Sequence, residues 1–262
     1  MGKSFCLVVL GLGLMMVGQI GLTAPIDIEK AEIAYLFEEG KGKVAKDASN
    51  NKRNGSLESG VKYGPGKFGT GLVYDGKDDN LIVKGYHGIG GKDPRTVLYW
   101  FKSESAREHS WVKWGPNVAT KKYYVRAHVA GAKCWLRVEN NGGNNWGDVD
   151  VCDGKWHHHA VVFPNKAKDV QDHNIYVDGK LNGKAGAANP MDTDDKAQEV
   201  VMGDFLAHHV FMHGSFDEVA IFSVDLTVKQ IQLIMTQGLA SALSIEPRDK
   251  LSTNWAAIKA VY

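Results

Sequence analysis

Gly66-Lys-Phe-Gly-Thr-Gly-Leu-Val-Tyr-Asp-Gly76, Lys155-Trp-His-His158 and Gly214-Ser-Phe-Asp-Glu-Val-Ala-Ile-Phe222 occur in that order along a chain of 262 residues. In the first phrase a glycine turn feeds a short apolar strand that stops at Asp-Gly. In the third an apolar strand runs almost directly into Thr227-Val-Lys-Gln230. That spacing is a capping box: the Thr hydroxyl accepts from the Gln backbone N–H while the Gln side chain reaches back. Leu226 and Ile231 stand where a hydrophobic staple packs, and Gly238 is a natural helix stop.

Outward from these phrases the chain reads as short strands separated by Gly, Asn and Asp. The candidates are 33–37, 71–74, 81–83, 96–101, 123–129, 135–138, 159–163, 174–177, 199–202 and 216–222. Such spacing predicts a sandwich or barrel. Val177-Asp-Gly-Lys-Leu181 is a tight two-residue hairpin, because Asp-Gly supplies the positive φ that the turn needs. Thirty Gly against seven Pro fits many turns, and 44% hydrophobic residues suffice for a core.

Charge excludes one class of partner. With 31 basic and 30 acidic residues and no Lys/Arg run, the chain has no uncompensated surface for nucleic acid. Lys3 followed by the apolar stretch Phe5–Leu22 reads as a secretory signal over residues 1–24, ending at Ala24. Uncut, the same stretch is nearly long enough to anchor in a bilayer, which is the one membrane contact expected. Either reading places the remainder outside the cytoplasm: secreted, periplasmic or on the cell surface. Residues 30–240 form the domain and 241–262 a tail.

Together the three phrases resemble the laminin-G-like branch of the concanavalin A-like lectin/glucanase superfamily. The resemblance implies an all-β jelly-roll β-sandwich of two antiparallel sheets, with a short helix after the last strand. It also implies a structural calcium at the rim, between the early loop Val44–Gly55 and the closing Asp-Glu. The positions that match are Asp47, Asn51 and Asp217, with Asn54 as a fourth candidate. The loop departs from the family pattern at Asn50, Lys52 and Arg53, which make it stiffer and more basic. The alternative is that Asp47 and Asn51 cap turns by accepting backbone N–H groups.

His157, His158 and His159 do not form a zinc site, since successive strand residues point to opposite faces. Trp156 and His158 share one face and His157 takes the other. His208, His209 and His213 read as a loop without the partners of a standard site. Glucanases of the superfamily carry two Glu flanking an Asp on one strand face, for carboxyls about 5 Å apart. Asp148 and Asp150 share a face but lack a Glu, and Asp217 and Glu218 point apart. A non-catalytic binding module is therefore expected, with carbohydrate or a surface glycoprotein as partner. The alternatives are a glycan hydrolase on the same fold and an envelope or adhesion module without a small ligand.

Trp100 and Trp156 are expected in the core. Trp111, Trp114 and Trp146 lie among Gly, Asn and Ser, where exposure is expected; Trp114 and Trp146 are the candidate sugar platform, with packing into the core as the competing reading. Cys134 and Cys152 lie equally far from Gly143, the middle of the 140–145 turn. A symmetric hairpin would set them opposite each other as a disulfide. That register sets Leu136 and Val138 against Asp150 and Asp148, whereas a one-residue slip sets them against Val151 and Val149; a bulge would reconcile the two.

Overall fold

The computed structural model describes residues 25–193, 196–205 and 210–244. The signal-like segment 1–24, His208, His209 and the tail beyond 244 lie outside the described residues.

In chain order the strands are β1 (Ala31–Tyr35), β2 (Val44–Ala45), β3 (Gly55–Glu58), β4 (Lys62–Pro65), β5 (Thr70–Asp75) and β6 (Asn80–Val83). Then come β7 (Arg95–Lys102), β8 (Ser110–Trp114), β9 (Tyr123–Ala130), β10 (Lys133–Glu139), β11 (Asn144–Trp146) and β12 (Trp156–Phe163). The last are β13 (Asn174–Val177), β14 (Lys180–Leu181), β15 (Lys184–Ala185), β16 (Val200–Met202), β17 (Asp204–Phe205), β18 (Val210–Phe211) and β19 (His213–Phe222). One helix, α1 (Val228–Ala242), follows.

Two antiparallel sheets face each other. The back sheet runs β14-β13-β12-β7-β19-β5-β4, with β1 also paired to β19; the front sheet runs β15-β11-β10-β9-β8-β16-β6-β3-β2. Alternation along the strands builds the core. Val97, Tyr99 and Phe101 of β7 point between the sheets, where they join Trp111, Val125, Leu136 and Phe216. Leu98 points the other way, with Ala160, Val162, Ala220 and Phe222, onto Ile231, Ile234 and Leu239 of α1. The central strands of the back sheet are therefore buried on both faces, and the outer face of the front sheet is not covered by the helix.

The capping box forms as expected, with Thr227 accepting from Gln230 N and Gln230 reaching back to Thr227. Gly238 does leave helical geometry, at φ 77°, but the chain resumes a last turn to Ala242. Along β12, His157 bridges Asp178 and Asp153 at 2.8 and 3.0 Å. His158 packs on Trp100 from the helix side, and His159 enters the inter-sheet core beside Tyr99 and Trp111. Burial pushes His158 down to about 3 and His159 well below its ordinary value, so both are neutral core residues. They do not converge on an ion.

Cys134 and Cys152 are joined. Neither anticipated register holds, however. The hairpin pairs Glu139 with Asn144 and Arg137 with Trp146, so its centre lies between Asn141 and Gly142. β11 then ends, Gly147 N bonds Leu136 O, and Val151 N bonds Cys134 O, which leaves two extra residues bulged out in between. Asp150 Oδ1 holds that bulge by accepting from Cys134 N and Cys152 N. Closing an 18-residue separation removes chain entropy from the unfolded state. Cys152→Ser should therefore lower unfolding stability by about 3 kcal/mol, read from urea denaturation under non-reducing conditions.

Candidate functional site

The expected calcium ligands are brought into the fold as caps. Asp47 is buried and both its oxygens are taken: Oδ1 accepts from Ala34 N and Ser49 N, Oδ2 from Ser49 Oγ and Arg53 N. Asn51 turns its amide nitrogen to Ala31 O and Glu32 O. Asn54 Oδ1 accepts from Asp47 N. Asp217, fully buried, accepts from Lys67 N and Phe68 N on Oδ2 and from Glu218 N on Oδ1. Carboxylates ringed by N–H donors at separate turns do not fit a calcium, which needs six to eight converging oxygens. Among the described residues, Asp75, Asp78 and Asp79 bring carboxylate oxygens within 4.8 Å of one another, a grouping the sequence reading missed. There too the carboxylates close a turn, Asp79 accepting from Asp75 N and Asp75 from Lys77 N.

Trp114 is a correction. Its exposure is 0%, and its ring stacks on Tyr123 at 4.0 Å. A Cβ on Gly88 would fall 2.4 Å from that ring, so Gly88 is what admits it to the core. Trp111 is equally buried, against Tyr99, Phe101 and His159. The glycines and asparagines around both belong to the loops flanking β8; the strand itself points inward.

Trp146 does reach the open face of the front sheet, and it is not alone there. Cys134, Leu136 and Val138 of β10 point into the core. Trp135, Arg137 and Glu139 therefore point out, next to Arg126 and His128 of β9. His128 lies between two indoles, 5.7 Å from Trp135 and 6.3 Å from Trp146. Trp135 was legible from that alternation, yet a strand with an apolar inner face draws attention inward. Gly186 lets the Trp146 ring lie close over the neighbouring chain, since a Cβ there would come within 2.3 Å of it.

Beside the aromatic group is a pocket of 350 Å³ lined by Arg137, Glu139, Asn141, Gly142, Gly143 and Asn144. Its turn is held rigid. Asn140 donates to Asn189 O and Pro190 O and accepts from Gly143 N. Side chains on Gly142 or Gly143 would strike Asn189. Glu139 is contacted by Lys122 at 2.7 Å, Arg137 at 2.9 Å and Arg126 at 3.7 Å. Burial alone would raise the Glu139 carboxyl; Lys122 and the two arginines outweigh it and hold it below its ordinary range. Arg137 Nε, Trp135 Nε1 and Asn144 Oδ1 are sealed from solvent without a hydrogen-bond partner. Asp148 and Asp150 stand apart, spent on Asn182 and on the disulfide bulge.

A jelly roll of two antiparallel sheets defines a class. A laminin-G-type family model described as concanavalin A-like lectin/glucanases superfamily matches residues 75–232, and the chain belongs to that superfamily. No curated protein matches it in sequence. Among solved structures, domain 4 of AbnA, a GH43 extracellular arabinanase from Geobacillus stearothermophilus in complex with arabinotriose, is 18% identical. The match covers 78% of this chain and 97% of that domain, with TM-score 0.56. The binding domain of botulinum neurotoxin DC in complex with SialylT is 10% identical over 80% of this chain and 52% of that one, with TM-score 0.54. The same toxin domain with rat synaptotagmin II gives 11%, 80%, 52% and 0.51. The chain spans about half the length of those toxin chains, and at these identities the likeness is one of fold.

Two outcomes follow for the buried acids. Because the donor set does not fit a metal, chelator should leave the melting temperature unchanged; a drop that added calcium reverses would overturn that conclusion. Burial raises Asp217 to about 7 and Glu218 to about 8, so folding takes up protons at both. The stability they contribute is full below the ordinary carboxylate pKa and is lost as pH rises through 7 and 8. Melting temperatures of the wild type should therefore fall between pH 5 and pH 8 more steeply than those of Glu218→Gln. Parallel curves would show that these acids do not titrate there.

Proposed function

We propose that the protein is an exported carbohydrate-binding module that uses the outer face of the front sheet without turning its ligand over. The observation that carries this is the juxtaposition of Trp135, His128 and Trp146 with the rigid pocket at Arg137 and Asn144. Flat aromatic faces suit the C–H face of a sugar ring, and a few fixed polar atoms beside them suit its hydroxyls. The binding domains of similar fold, one in complex with arabinotriose and one with SialylT, support the class of ligand. Export is supported by the disulfide, which persists in oxidising compartments. Among the described residues no helix is long and apolar enough to cross a membrane.

Absence of turnover is supported by the state of the groove acid. Glu139 is held ionised by three cations and so cannot serve as a general acid near neutral pH. Glycan-array and calorimetric binding with the full chain tests the proposal. Trp146→Ala and Trp135→Ala should each weaken binding about tenfold while leaving the melting curve in place. Binding that survives in the double variant would remove the site, and reducing ends released from a bound glycan would remove the non-catalytic reading.

A further inference from the structure

We infer that this face takes an acidic saccharide, with a carboxylate or sulfate group of the sugar seated at Arg137. The inference rests on the carbohydrate reading above and adds the chemical class of the sugar. Its basis is a charge imbalance. Lys122, Arg126 and Arg137 converge on Glu139, and Glu108 supplies the second carboxylate by binding Arg126. Lys113 and Asp204, which feel each other's charge, add one of each sign and leave the balance unchanged. Within this network of charges the cations exceed the anions by one, with His128 neutral.

That excess is poorly screened. Side-chain exposures are 3% for Lys122, 10% for Glu139, 14% for Arg126 and 21% for Arg137. Lys122, Arg137 and His128 are all held below their ordinary pKa, by burial first and by the Arg126 charge among the further causes. Lys122 is paired with Glu139 and Arg126 with Glu108, so the excess is placed at Arg137, which has only a share of Glu139. Its Nη2 shares the Glu139 carboxylate at 2.9 Å, its Nη1 reaches only the neutral His128 Nδ1 at 3.5 Å, and its Nε has no acceptor. An anion arriving at the exposed part of the Arg137 guanidinium would supply the missing charge. Around it, the aromatic rings offer a stacking face. A flat stacking face beside the cation favours a ring-shaped ligand over an acidic peptide.

The test uses the full chain and pairs of saccharides that share a backbone. Polygalacturonate is set against its methyl ester, and a sulfated galactan against its desulfated form, with polyglutamate as a third arm. The acidic member of at least one pair should bind about tenfold tighter than its neutral partner. The pair that shows it distinguishes carboxylate from sulfate. The advantage should shrink as ionic strength rises, and Arg137→Gln should abolish it. The paired comparison and the salt titration use wild-type protein, so they hold even if the variant folds poorly. Equal affinity within both pairs would overturn the inference; if Trp146→Ala still weakened that binding, the carbohydrate reading would stand. Polyglutamate binding as tightly as the acidic saccharide would mark simple ion exchange and also overturn it.

Discussion

The buried Asp217 carboxylate ties the two most distant sequence phrases into one structure. It accepts from Lys67 N and Phe68 N, 150 and 149 residues away along the chain. A Cβ at Gly66 would fall 2.6 Å from Oδ2, so the turn can close on the acid only with glycine there. The next residue, Glu218, sits in a β-bulge at φ 51° and accepts from Leu239 N just past the Gly238 break in α1. Two neighbouring carboxyls thus fix the Gly66–Gly69 turn, the longest strand and the helix. Ringing a buried acid with N–H donors offsets part of its desolvation; the remainder is seen in a proton affinity raised to about 7 at Asp217. Phe68, placed by this contact, in turn meets Trp100, which packs on His158 of the Trp-His-His phrase.

That junction explains which surface is free. β19 pairs with β1, β5 and β7, and α1 lies on the outer side of the same sheet. The central strands of the back sheet are buried on both faces. The front sheet presents the outer faces of β9 and β10 to solvent, and their outward residues can meet another molecule. Burial of one sheet by the helix is in this sense what locates the site.

The sequence revealed the fold because its main signals are local. A capping box, an Asp-Gly turn and strand alternation depend on neighbours two to four residues apart, and each forms where it was read. The site was less legible. Trp114 looked exposed because Gly115 and Asn117 follow it, yet its burial depends on Gly88 and Tyr123, which are near only in three dimensions. Asp47 and Asp217 have the composition of metal ligands, but a carboxylate that caps a turn has the same composition; only the placement of N–H donors separates the two. The hairpin register failed for a related reason. Symmetry about Gly143 ignores the two residues that bulge out between Gly147 and Val151, and those residues also carry Cys152 to Cys134.

The ion network on the front face is a poor means of stabilising a protein. Desolvating several charges is costly, and apolar residues of similar volume commonly serve stability as well or better. β9 and β10 nevertheless carry Arg126, Arg137 and Glu139 outward, where alternation would equally have admitted Thr, Val or Tyr. Glu139 cannot answer all three of its cations fully, since Lys122 occupies Oε1 while Arg137 and Arg126 share Oε2. The aromatic rings beside the network add to this, because indoles at the surface of a front sheet cost solubility and do little for a core they do not enter. Unbalanced charge and half-buried indoles occur together over a few strands of one face. Each is unfavourable for the isolated chain, and a stacked saccharide bearing an anionic group would relieve both.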